Sequence, residues 1–169
     1  MLRFRLYCFS LFFFTSFSFA QNSFSNFLKP PDSLNHPRRN AVIVSESILT
    51  AGILLSLNQL WYADYPKSDF HFINDNAEWL QMDKAGHVFS SYQLGRFSKE
   101  AFQWSGMSRK NQLLYGSTFG FAFLTAVEIM DGYSSNWGAS IGDVAANASG
   151  TALYVSQELL WGEQRIVPK

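Results

Sequence analysis

Between Pro66 and Pro168 the chain runs for 101 residues (67–167) without a proline. Proline is the strongest breaker of a helix interior, because it removes a backbone donor and clashes with the preceding turn. Its absence over such a length favours long helices, and no segment shows the period-2 alternation of a half-buried strand. Four helical segments fit the apolar spacing. The first runs roughly from Ala41 to Trp61 and the second from Asp83 to Trp104. Ser108 is placed to cap the third, which runs to about Met130 before an Asp131-Gly132 stop. The fourth begins near Ser140 and ends near Trp161. Short connections after the second and third helices make those neighbours antiparallel. The expected fold is all-α, a compact up-down bundle of about four helices.

The fourth helix suggests how they pack. Gly138, Gly142, Ala146 and Gly150 recur every four residues. That spacing predicts one stripe of small residues where a neighbouring helix approaches closely. Gly116 and Gly120 in the third helix are expected to supply the matching groove. Each glycine costs roughly 1 kcal/mol of helix propensity relative to alanine, and close packing is the expected compensation.

The ends of the chain differ in kind. Residues 1–20 read as a secretory signal peptide: Arg3 and Arg5, an apolar run from Leu6 to Phe17, then Ser18-Phe19-Ala20. The apolar run is short for a membrane span. Residues 21–40 hold Pro30, Pro31 and Pro37 among polar residues and read as a linker. The bundle domain is then 41–162, with a tail at 163–169. Cys8 is the single cysteine. Loss of the leader would leave no thiol, and Cys8 has too little apolar chain before it to be a lipoprotein cysteine. Two of the 13 basic residues would also leave, giving 11 against 13 acidic ones, a net charge of −2. That balance excludes a nucleic-acid partner of the usual electrostatic kind.

The polar residues carry the functional signal. Asp143 and Asn147 stand four apart and share a helix face, as do Asp83 and His87. Glu128 and Asp131 lie three apart at the end of the third helix. In an up-down bundle the start of helix two, the end of helix three and the start of helix four share one pole. All six side chains are therefore expected in one layer. The long connection at residues 62–82, with His71, Asp75, Asn76 and Glu78, begins and ends there, and loops of that length are often functional.

Acids and a histidine from three helices suit acid–base chemistry, with His87, Glu128 and Asp143 as candidate catalytic groups. They equally suit a divalent metal held by Asp83, His87, Glu128 and Asp143. Lys84, Asp131, Asn147, Ser140 and Asp83 are candidate binding residues around them. Each also has a plain structural reading. Asp83 and Ser140 fit N-caps, with Ser140-x-x-Asp143 a capping box carrying Asp in place of Glu. Lys84 neutralises acids, and His87 and Asn147 serve as satisfied core polar groups. Gly138-Ala139-Ser140-Ile141-Gly142 matches a nucleophile-elbow pattern, but SSNW before it is no strand. Asn147-Ala148-Ser149 is a formal glycosylation sequon inside a packed helix.

All five tryptophans flank helices, as in interfacial belts, and the first and third helices are long and apolar enough to span. The basic residues gather at the pole opposite the polar layer. The positive-inside rule would place that pole in the cytoplasm, whereas a cleaved leader places it outside. With a mean hydropathy of only −0.04, the expectation is an exported bundle in the periplasm or at a membrane surface. Its basic pole is the expected contact with anionic lipid, and a membrane surface or an envelope protein is the expected partner.

Asp83-Lys84-x-x-His87, Glu128-x-x-Asp131-Gly132 and Gly142-Asp143-x-x-Ala146-Asn147-x-x-Gly150 resemble the motif set of the YfiM-like family. That family is one of predicted periplasmic proteins with a domain of unknown function. NDNAEWLQMDKAGH and WGEQRI look like its Bacteroidetes branch, over roughly residues 40–167. Members of that branch continue well past this C-terminus, which implies a short version. A looser similarity is to VanZ-like membrane proteins, although Asp131 stands where their second glutamine falls. The resemblance implies export and implies no reaction. Two functions stay open: an envelope protein with a structural or interaction role, and a metal-dependent or acid–base enzyme acting on lipid or cell-wall material.

Overall fold

The computed structural model describes residues 25–169, so the leader reading of residues 1–20 lies outside the described residues. Four long helices follow in order: α1 (His36–Leu60), α2 (Met82–Trp104), α3 (Arg109–Gly132) and α4 (Ile141–Leu160). The all-α bundle is as expected, with boundaries shifted by local chemistry. α1 starts five residues before Ala41, inside the expected linker. The Asn35 side chain accepts from the Arg38 amide at 3.0 Å, and Pro37 sits in the first turn, where its missing donor costs nothing. Ser108 holds the cap position of α3 without a side-chain cap bond. Ser140 caps α4 as expected, its Oγ accepting from the Asp143 amide at 3.2 Å.

Two short strands, β1 (Phe72–Ile73) and β2 (Ala139–Ser140), pair in parallel, Phe72 with Ala139 and Ile73 with Ser140. They are too brief to show a period in sequence. Their effect is to pin the long loop onto the start of α4. The same loop donates from the His71 amide to the Gly132 carbonyl at 3.0 Å. It enters α2 through a 3-10 turn at Trp79–Gln81, whose three residues have φ of 48°, 51° and 59°. A left-handed backbone costs a non-glycine residue roughly 1–2 kcal/mol. Such strain persists only where surrounding structure holds it.

α2, α3 and α4 form the packed centre, with small residues on their seams. A Cβ on Gly116 would lie 2.5 Å from the Gly95 carbonyl oxygen, and one on Gly120 2.7 Å from that of Ser91. One on Gly150 would strike the Val88 carbonyl and Ser91 Oγ. All three glycines therefore face α2. This corrects the expected pairing of Gly116 and Gly120 with the fourth helix: α2, which brings Ser91 and Gly95, is the central rod. The expected four-residue stripe also breaks. Gly138 precedes α4 and meets Ile73, while Gly142 meets Asn76 and Lys84 of the loop and α2. α1 lies outside this centre and buries only Val42, against Phe102 and Met107. Arg38 anchors it there, its guanidinium 4.8 Å from the Trp104 ring.

Candidate functional site

The pole shared by the start of α2, the end of α3 and the start of α4 holds the polar layer. Asp83, Lys84 and His87 come from the first two turns of α2, Glu128 and Asp131 from the last two turns of α3, and Asp143 and Asn147 from the first two turns of α4. His87 is the centre. Its Nδ1 lies 2.9 Å from Asn147 Oδ1, and its Nε2 lies 3.4 Å from Glu128 Oε1 and 3.7 Å from Asp83 Oδ1. Asn147 Oδ1 can only accept, so Nδ1 carries the ring proton. Nε2 then faces carboxylate oxygens of Asp83 and Glu128, a place that a shared proton or a metal ion can fill.

Glu128 is 3% exposed and is held in place from behind: the Ser140 amide donates to its Oε2 at 3.0 Å, leaving Oε1 for His87. Lys84 Nζ bridges Asp75 at 2.7 Å and Asp143 at 3.1 Å. Ser140 Oγ donates to Asp75 Oδ1 at 2.7 Å. Burial alone would push the Asp75 carboxyl up, but the Lys84 and Ser140 hydrogen bonds outweigh it and bring it down to about 2. Asp131 accepts from the Tyr62 hydroxyl at 2.6 Å. Burial first, then that carboxylate, pushes the Tyr62 phenol up.

Every candidate residue thus reaches the layer. Asp83, His87 and Asp143 each offer a ligand atom, all within 4.8 Å of one another. Ser140 serves as the cap of α4 and as a donor to Asp75. Asn147, the acceptor residue of the sequon, is fully buried in α4, while Ala148 and Ser149 are exposed. Of the loop groups, His71 stays apart, bonded to Ser68 and the Asp69 carbonyl. Sequence reasoning placed Asp75 near this pole without giving it a role, and it missed Tyr62.

A cavity of about 680 Å³ opens above the layer. Asp83, His87, Glu128, Asp131 and Asp143 form its polar side. Trp61, Trp79, Trp137, Met82, Leu124 and Val127 are among its apolar walls. Trp61 and Trp137 stack at 5.8 Å. The walls come from two loops and three helices, and the one advance signal was that tryptophans flank helix ends. A second polar network lies at the opposite pole. Glu158, 4% exposed, pairs with Lys99 at 3.3 Å and Arg109 at 3.4 Å, while Gln164 Nε2 donates to it at 3.0 Å. Its signals were Gln157-Glu158 and the WGEQRI segment that folds back over them.

No curated protein and no solved structure matches this chain. Residues 69–158 match a family described as predicted periplasmic lipoprotein (DUF2279). That span is 90 of 169 residues, from the loop ahead of α2 to Glu158, and it contains every polar-layer residue except Tyr62. The Bacteroidetes branch and the VanZ-like similarity rest on motif spacing alone. The match carries export to the periplasmic side of the envelope and a helical domain of unknown function, and on its extent the chain belongs to the DUF2279 family of predicted periplasmic lipoproteins.

Proposed function

We propose that the chain is an envelope binding protein. Its polar layer holds a divalent cation, and its cavity receives an amphiphilic envelope molecule whose polar head meets that cation. One observation carries the reading: Nε2 of His87 points at the carboxylates of Asp83 and Glu128, beneath a cavity with aromatic and aliphatic walls. A cation there would relieve the carboxylate crowding, and His87, Asp83 and Asp143 supply first ligands of mixed nitrogen and oxygen type. Asn147 would fix the imidazole tautomer, the outer-shell role usual for ligating histidines. The apolar walls suit an acyl or isoprenoid portion better than a free sugar or peptide.

Isothermal titration of the full chain in mild detergent with Mn²⁺ and Zn²⁺ tests the cation. One saturable site is expected, weakened about 10–100-fold by Asn147→Ala and lost in His87→Ala. Equal uptake by wild type and His87→Ala would overturn the reading. The pairing of His87 with Glu128 supports a second one, in which the same two groups move a proton on the bound amphiphile. Turnover of an envelope lipid that Glu128→Gln abolishes, with cation binding retained, would favour it.

A further inference from the structure

The outside of this bundle is apolar and its inside is polar. Among the described residues, nine hydrophobic side chains are buried against eleven polar or charged ones. A water-soluble core of this size buries the reverse. The interior holds Glu128, Asp143, Asn147, Gln157 and Glu158, with Ser91, Gly95 and Gly120 on the seams. The two most apolar helices are the least covered. Only 6% of the apolar window of α1 is buried, and 22% of that of α3. A core helix of a soluble protein would be mostly buried. Exposed apolar side chains occur on every helix: Ile48 at 65% and Leu55 at 62% on α1, Phe97 at 59% on α2, Leu114 at 58% on α3, Leu160 at 73% on α4.

From this we infer that the bundle is immersed in a bilayer, with lipid acyl chains as the occupant of its whole apolar circumference. Three further observations favour lipid over a second protein copy. A partner chain would cover one side, whereas the apolar residues lie on all four helices. α1 and α3, the two helices among the described residues long and apolar enough to cross a membrane, have 25 and 24 residues, or about 36–37 Å at 1.5 Å rise per residue, against a hydrocarbon core of about 30 Å. Charge is complementary as well. α3 has no charged residue between Lys110 and Glu128, and α4 none between Asp143 and Glu158. The pole beyond that band carries Lys29, Arg39, Lys110, Arg165 and Lys169, suited to anionic headgroups. Small residues at helix seams and polar groups turned inward are how helices associate in lipid, where apolar surface gains nothing by pairing. Attachment by this collar does not depend on Cys8.

The test uses the full chain with Cys8→Ser, reconstituted in phosphatidylethanolamine–phosphatidylglycerol vesicles. Leu49→Cys, Phe97→Cys, Leu114→Cys and Ala148→Cys place one bimane label on each helix in turn, and Asp69→Cys places one in the loop. Nitroxide carried on acyl chains is expected to quench the four collar labels, which aqueous iodide leaves bright; the loop label should behave oppositely. Iodide quenching of the collar labels would overturn the inference. So would labels shielded from both quenchers, which would mean that protein covers the collar, whether a second copy or the chain's own leader. A monodisperse monomer that stays soluble without detergent would overturn it too.

Discussion

Lys84 sits between two carboxylates, and Asp75 is the partner whose titration reports on that contact. The folded carboxyl at about 2 lies below its ordinary 3.8, so the unfolded chain binds the proton more tightly. The stabilisation is therefore complete above about pH 4 and disappears as pH falls from there toward 2. A shift of that size is worth about 2 kcal/mol. Thermal unfolding in mild detergent should show that loss between pH 4 and 2 in the wild type. Asp75→Asn should be less stable at neutral pH and lose less stability through the window than the wild type; an unchanged acid slope would detach Asp75 from the effect. Residues of the layer were legible in sequence to the degree that helices carry them. Asp83 and His87, like Asp143 and Asn147, announce a common face by their spacing of four. Asp75 and Tyr62 lie in a connection with no period, and only the β1–β2 pairing and the tertiary fold bring them in.

At the level of helices, glycine means different things at different places. Gly150 lies where α4 touches α2, and an added methyl would meet the Val88 carbonyl, a backbone atom that cannot swing aside. Gly52 on α1 has nothing within 4 Å of the same added atom. The two alanine substitutions should thus have opposite signs. Gly150→Ala is expected to destabilise by about 1–3 kcal/mol through forced separation of the rods. Gly52→Ala should stabilise by nearly 1 kcal/mol through helix propensity. Denaturation midpoints of the two variants against wild type check both. A stabilising Gly150→Ala would show that α2 and α4 pack less tightly than this seam requires. The sequence pattern announced close packing correctly and its partner wrongly. A four-residue repeat marks a face on one helix, but which rod meets that face depends on the arrangement of all of them. Here Ser91 and Gly95 give α2 small residues toward both neighbours, and α2 takes the centre.

For the molecule as a whole, composition concealed the pattern that placement reveals. A mean hydropathy of −0.04 averages a polar interior, a polar 21-residue connection and an apolar exterior into one neutral number. The four helices and their shared pole were readable because periodicity and connectivity suffice for them. The inversion of inside and outside was not, since it requires knowing which side of each helix faces the centre. Charge separates two stages of membrane contact. The basic pole, with Arg165 side chain 57% and Arg109 side chain 60% exposed, would draw the chain to anionic headgroups, an attraction that salt screens. Immersion of the collar is apolar and insensitive to salt. Capture of detergent-diluted protein by vesicles should accordingly be faster with phosphatidylglycerol than with phosphatidylcholine alone at 0.02 M salt. The two rates should converge near 1 M salt, where the Debye length falls to about 3 Å. Protein once captured should stay bound when salt is raised. Release by 1 M salt would mean that the basic pole alone holds the surface and that the helices remain outside the hydrocarbon.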